Sequence, residues 1–333
     1  MQQNTQIGLK VLGTGRALPC KKWLSTDLDK AHGYPEGTLE GLTGVTSRYL
    51  CDAEGQIDLA QDAAQKALRS AGLGAQDIDV VLSTAAVAYQ SIPAMAPLIQ
   101  RRLGIADGRC FAADVNATCL GFPTALHMAA EKLQLQPEQN ILIVAAEQAS
   151  RGLPWDTRPQ VAGLFGDGAG AAVVSGAHHS GLLAAKFATY PSAYEACSLA
   201  AGGTRFDFQC DPQAFAAHST FDMDAKALFR LTAKHFGGFV EDLLAMAQTQ
   251  AADIKQVIAH QASPAGLNHL TRICGFDPAQ VLNIASDFGN QIAASIPFAL
   301  DYAVEHGHVR TGDRIALLGT SAGVSFGGLV MDF

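Results

Sequence analysis

A chain of 333 residues with 48% apolar composition can bury one large core or two of ordinary size. It carries 31 acidic against 23 basic side chains, a net charge of −8, and no concentrated basic run, which argues against nucleic acid as a partner. No apolar stretch approaches the roughly 18 residues of a membrane span and the N-terminus lacks a basic region followed by a hydrophobic core, so a cytoplasmic protein without membrane contact is expected.

Residues 7–18 alternate and then break at glycines, predicting a first strand and a loop. Residues 58–72 read as a helix with Ala60, Ala63, Ala64, Ala67 and Leu68 on one face, and 78–83 as a short apolar strand. A further strand is expected at 111–115, then a tight turn over 116–118. From Cys119 onward Leu120, Thr124, His127 and Met128 recur at helical spacing, which predicts a buried helix beginning at the cysteine. NILIVA at 140–145 is another strand, and FGDGAGAAVV at 165–174 is a glycine-rich turn running into a strand. Apolar strands alternating with helices predict a mainly parallel sheet covered on both faces.

The seven cysteines, at 20, 51, 110, 119, 197, 210 and 274, are odd in number and show neither CxxC nor Cys/His ligand spacing. Free thiols are expected, with no disulfide framework and no metal site. Cys119 differs from the rest by its position. A thiol at the first turn of a helix faces unpaired backbone N–H groups and the positive end of the helix dipole, which favours the thiolate. Cys119 is therefore a candidate nucleophile, against the competing reading of a small buried hydrophobe.

The chain also resembles itself. With an offset of 174 and no gap, the segment from Phe122 matches the segment from Ile296, with five identities in the ten positions 122–131. With an offset of 176, DIDVVLSTAA from Asp77 matches DIKQVIAHQA from Asp253. Two halves of one ancestral unit are implied, 1–175 carrying Cys119 and 176–333 carrying His260 and Asn290. Asn116 then corresponds to Asn290 and Cys119 to Ala293. His260 falls at the end of a strand, where open α/β sheets place their sites, so Cys119, His260 and Asn290 are expected to converge at the seam.

In their settings, VNATCLGF at 115–122, VIAHQASP at 257–264 and SDFGNQIAASIP at 286–297, these three residues resemble the active centre of the thiolase superfamily. The ketoacyl-acyl carrier protein synthase III branch is the most similar, and FGDGAGAAVV and GTSAGVSFGG at 319–328 resemble its glycine-rich segments in the same order. The resemblance implies a five-layer αβαβα fold of two duplicated halves with mixed, mainly parallel sheets, and a homodimer. It implies that Cys119 takes an acyl group from a thioester, with the backbone N–H groups of Cys119 and of the loop at Ala322 and Gly323 as oxyanion hole. His260 and Asn290 would hold the enolate left when a malonyl thioester loses carbon dioxide. It also implies Phe229 and Ile92 as tunnel residues, the latter reaching into the neighbouring subunit, and Arg230 and Arg272 as docking residues for an acyl carrier protein. No cofactor is expected, because the phosphopantetheine arm arrives with the partner or with coenzyme A.

The sequence departs from that branch where coenzyme A is gripped. Thr38 and Leu42 stand where the resemblance implies a tryptophan and an arginine, and Pro159, with Arg158 one residue earlier, stands at a phosphate-side arginine. A specialised acyl product, not bulk fatty-acid priming, is the expectation. Alternatives are acyl transfer to an alcohol or amine, non-decarboxylative condensation, for which no dedicated carboxylate base is identified, and a silent subunit of a ketosynthase heterodimer. His127, His178 and His179 read as structural or exposed.

Overall fold

A computed structural model describes residues 7–178 and 181–333. The strands form two five-stranded sheets and two small two-stranded ones. In the first large sheet Lys10–Ala17 pairs with Gly168–Ser175, which pairs with Asn140–Glu147, then Val80–Thr84, then Phe111–Asp114 at the edge. In the second, Ile7–Gly8 leads to Gly181–Thr189, Ser325–Asp332, Arg314–Ser321 and Gln256–Ala259.

The sheets are mixed, but the expectation of mainly parallel pairing is corrected. Parallel pairing joins Val80–Thr84 to both its neighbours and Gln256–Ala259 to Arg314–Ser321, while the remaining five pairings of the large sheets are antiparallel. Only the strands joined through helices run parallel. The chain goes directly from Arg314–Ser321 to Ser325–Asp332, and so short a connection can only return antiparallel.

Side-chain alternation along the strands sorts the core into three layers of contact. Val81, Leu142, Val144, Ala171 and Val173 face the helix Gln56–Ala71. Val80, Leu82, Ile141 and Ile143, with Ile258, Ile315, Leu317, Leu329 and Met331 of the second sheet, close on the helices Gly121–Leu135 and Ser295–Glu305 between the sheets. Val257, Ala259, Ala316, Leu318 and Val330 meet Ala225–Met246 and Pro264–Cys274 outside the second sheet. Period two on doubly covered strands thus produces the αβαβα layering. Phe122 and Phe298 lie in the first turns of the two central helices, each fully buried, and each contributes about 2–3 kcal/mol.

The helix at 121 begins later, and faces differently, than the periodicity suggests. Cys119 lies in a 3-10 turn, Thr118–Leu120, and the α-helix starts at Gly121. Its buried face is Phe122, Ala125, Leu126, Ala129, Ala130 and Leu133, whereas Met128 is exposed. Small alanines carry the buried stripe because the helix sits between two sheets, and large residues alone do not mark it.

One backbone turn recurs at the offset of 174. The turn Thr118–Leu120 has its counterpart 174 residues later in Ile292–Ala294. Thr118 and Ile292 both hold φ 49°, a left-handed conformation rare for β-branched residues. Each turn is stitched the same way: Thr118 N donates to Asn116 Oδ1 at 2.9 Å and Ile292 N to Asn290 Oδ1 at 2.8 Å. Among the described residues no helix is long and apolar enough to cross a membrane.

Candidate active site

The two turns pack on one another at the seam, and the turn bearing Cys119 also packs on the strand Arg314–Ser321 of the other half. The backbone N–H groups of Cys119 itself and of Ala322, just past that strand, both face the Cys119 sulfur. Gly323, next in the loop, has φ 121°, a conformation in which a side chain would be strained.

His260 follows the strand Gln256–Ala259, which lies in parallel register beside Arg314–Ser321, and its N–H donates to Leu318 O at 2.8 Å. The residue is 6% exposed and its Nδ1 has no partner among the described residues. Burial lowers its pKa from 6.5 to about 4, so the imidazole is neutral at neutral pH. Asn290 is 8% exposed, and its N–H donates to Leu164 O at 2.8 Å while its carbonyl accepts from Gly166 N at 3.1 Å. That backbone crossing accounts for Gly166 of the glycine-rich turn and for Gly289. Gly289 holds φ 67°, and a Cβ there would stand 2.9 Å from Leu164 O. Because Oδ1 of Asn290 is spent on Ile292 N, its Nδ2 is left as the available donor.

One electrostatic expectation is corrected. Burial pushes the Cys119 thiol's pKa well up, and nearby Cys197 and Glu147 push the same way, outweighing the two N–H groups that favour the thiolate. The resting sulfur is a protonated thiol, because the sheet-covered seam desolvates it more than one turn of backbone dipoles compensates.

Glu147 is the residue that sequence reasoning missed. It ends the strand Asn140–Glu147, two residues beyond the apolar run that marks the strand, and it is fully buried. Its Oε1 accepts from Ala86 N, the N–H groups of Val87 and Ala293 also face it, and Oε2 has no partner among the described residues. Burial raises its pKa to about 8, with Asp167 adding repulsion. A charged residue closing an otherwise apolar strand was the available signal.

Phe229 is 53% exposed, with its ring 4.3 Å from His269, and His269 Nδ1 lies 3.1 Å from Arg272 Nη2. Arg230 and Arg272 are both exposed. Ile92 is 88% exposed on the loop that follows Val80–Thr84. Thr38 opens a short helix, Leu42 is exposed, and Arg158 is engaged by Asp222 while Pro159 begins another short helix. His127 lies 3.8 Å from Glu131, His178 is exposed, and His179 lies outside the described residues.

Comparison with known proteins gives a consistent picture. Residues 113–191 match the family model described as 3-oxoacyl-[acyl-carrier-protein] synthase III, and 244–333 match the model of its C-terminal portion. The chain is 32% identical to a beta-ketoacyl-[acyl-carrier-protein] synthase III of Synechocystis, over 96% of both chains. It is 30% identical to one of Neisseria meningitidis, over 97% of this chain and 99% of the relative. The crystal structure of 3-oxoacyl-[acyl-carrier-protein] synthase III from Aquifex aeolicus superposes with a TM-score of 0.86 at 28% identity, covering 98% of this chain and all of that one.

Two outcomes follow from the buried ionisable groups. An imidazole of pKa 6.5 in the unfolded chain and about 4 in the fold contributes stability that is fully present above pH 6.5 and is lost as pH falls through about 4. Urea unfolding between pH 6.5 and 4 is therefore expected to show a steeper loss in the wild type than in His260→Gln. Glu147→Gln keeps a neutral acceptor for Ala86 N and is expected to cost less than about 1 kcal/mol, whereas Glu147→Ala orphans that N–H and costs about 2–3 kcal/mol in the same assay.

Proposed function

Because the chain belongs to the 3-oxoacyl-[acyl-carrier-protein] synthase III family, we propose that it is a condensing acyltransferase that loads an acyl group on Cys119 and extends it with a malonyl or related thioester. The observation that carries this reading is the pair of N–H groups, from Cys119 and Ala322, aimed at the sulfur of a turn packed against the turn that follows Asn290.

In the first step the Cys119 sulfur attacks the acyl thioester carbonyl, and the tetrahedral oxyanion is held by the two N–H groups. The carbon–sulfur bond to the carrier then breaks, and the departing thiolate takes the proton that Cys119 gives up. The thiolate is the attacking form, so the raised pKa of the buried thiol is a cost that substrate binding offsets as the new carbon–sulfur bond forms. In the second step the malonyl thioester loses carbon dioxide, and its enolate oxygen meets His260 and the Nδ2 of Asn290. A neutral imidazole can donate one hydrogen bond without adding a charge that would bind the malonyl carboxylate and retain it. The enolate carbon attacks the acyl-Cys119 carbonyl, the oxyanion returns to the same hole, and collapse frees the β-ketoacyl product and a Cys119 thiolate, which takes a proton from water.

Glu147 does not serve as the base of a non-decarboxylative condensation in this reading, being sealed behind the loop whose Ala86 N–H it accepts. The side chains at Thr38, Leu42 and Pro159, and the pairing of Arg158 with Asp222, support a donor carried by an acyl carrier protein and a product of specialised metabolism. Arg230 and Arg272 would receive the carrier's acidic surface, with Phe229 at the tunnel mouth between them. Seven thiols without a disulfide framework suit the reducing cytoplasm.

The partner that completes the site is a second copy. The edge strand Phe111–Asp114 pairs on one side only among the described residues, and Phe111 is 66% exposed. Beside it, exposed Val87, Tyr89 and Ile92 lie on a loop that re-enters the fold at Met95, whose N–H donates to Asp114 Oδ2 at 2.8 Å. An unblocked apolar edge of this kind is a template for strand pairing, and pairing two such edges would carry Ile92 into the neighbouring pocket.

Intact-protein mass spectrometry after exposure to acyl thioesters is expected to show one added acyl group, absent in Cys119→Ala. Asn290→Ala is expected to retain that adduct while losing roughly 100-fold or more in carbon dioxide release from malonyl thioester, a loss of the size seen when an oxyanion donor is removed. Unaltered carbon dioxide release would favour acyl transfer to another nucleophile. Light scattering is expected to give a dimer for the wild type and a monomer for Phe111→Lys.

A further inference from the structure

Leu120, the residue after the nucleophile, is 1% exposed and points away from its own half. Its side chain enters a notch in the second sheet made by two glycines that face each other in register, Gly319 and Gly327. A Cβ on Gly327 would stand 2.9 and 3.0 Å from the Leu120 methyl carbons and 2.9 Å from Phe187 Cε1. A Cβ on Gly319 would stand 3.1 Å from Leu120 Cδ2 and 3.2 Å from His260 Cβ. Among the described glycines, Gly319 is the one at which an added Cβ would meet both the residue after Cys119 and the side chain of His260. On the opposite side the turn is stopped by its own half, since a Cβ on Gly121 would stand 2.9 Å from Thr84 Cβ. The turn cannot retreat, and close-packed interiors pass such displacements on instead of absorbing them.

We infer that Leu120 and Gly319 are a matched pair of positioning residues that set the separation of the Cys119 sulfur from the His260 imidazole. The pair is a volume balance: a large side chain at 120 requires none at 319. A methyl at 319 pushes Leu120 and His260 apart by a few tenths of an ångström, and shortening Leu120 at the same time removes the push. The inference rests on the proposed roles of Cys119 and His260 in condensation, but the geometry it concerns is read without any thioester.

The test compares wild type, Gly319→Ala, Leu120→Ala and the double variant. The readouts are kcat and KM for condensation and the rate of Cys119 alkylation by iodoacetamide, followed at that cysteine by peptide mass spectrometry. A misplacement of this size is expected to lower kcat about tenfold in Gly319→Ala with KM unchanged within about twofold, because 1 Å costs about 100-fold. The alkylation rate is expected to shift at least about threefold, and the double variant to return both quantities to within about threefold of wild type. Wild-type kcat and alkylation in Gly319→Ala, or losses in the double variant that add instead of cancelling, would overturn the inference. If Gly319→Ala does not fold, the double variant decides alone: near-wild-type rates support the matched pair and a tenfold loss refutes it. If the wild type condenses no thioester, the functional reading fails, and the alkylation rates still decide whether the pair sets the sulfur's position.

Discussion

Two strained turns pressed together at the seam between the halves govern this molecule. Thr118 and Ile292 each hold a left-handed backbone that β-branched residues avoid, at a cost of about 1–3 kcal/mol apiece. Each is fastened by an asparagine side chain two residues earlier. The strain turns the next N–H, that of Cys119 or of Ala293, inward toward the strand end of the other half. At Cys119 the group so met is its own sulfur together with the N–H of Ala322; at Ala293 it is the carboxyl of Glu147. One geometry, used twice, thus holds a buried thiol on one side and a buried acid on the other.

The surrounding fold serves that contact. Two sheets sandwich the central helices, so the turns that begin those helices are desolvated, which keeps the Cys119 thiol protonated and the His260 imidazole neutral. Removing water also strengthens every remaining dipole, so in the proposed reaction a few backbone N–H groups and one amide would suffice for the charge that develops. Two glycines bring backbones into contact: Gly166 and Gly289 let the loops around Leu164 and Asn290 cross with mutual hydrogen bonds. The asymmetry between the halves is then chemical, with cysteine retained in one and alanine in the other.

Much of this was legible in the amino-acid order. The offset of 174 aligned Cys119 with Ala293 and Asn116 with Asn290, and the backbone repeats at those positions in φ and in hydrogen bonding. The alternating apolar strands gave the doubly covered sheets. What periodicity could not give was direction: strand 325–332 returns antiparallel because the short link from 314–321 leaves no room for a crossover, and strand 168–175 returns antiparallel after a connection that holds only short helical turns, which hydrophobic pattern alone does not report. It also misjudged the helix at 121, whose buried stripe mixes alanines with Phe122, Leu126 and Leu133, and the charge state of Cys119, because desolvation depends on what covers a group and not on its neighbours in sequence. Glu147 stayed hidden for the same reason, since only the fold brings the loop at Ala86 and the turn at Ala293 to it.

We place one reaction centre at the seam, where the sulfur of Cys119 meets the N–H groups of Cys119 and Ala322, with His260 and Asn290 opposite. Its most direct measurement is an experimental structure of the protein trapped as its acyl-enzyme. The expected result is an acyl carbon bonded to Cys119 Sγ with its carbonyl oxygen about 3 Å from both N–H groups and the open side of the thioester facing His260 and Asn290. A carbonyl oxygen directed away from Ala322, or an acyl group on any other side chain, would contradict it.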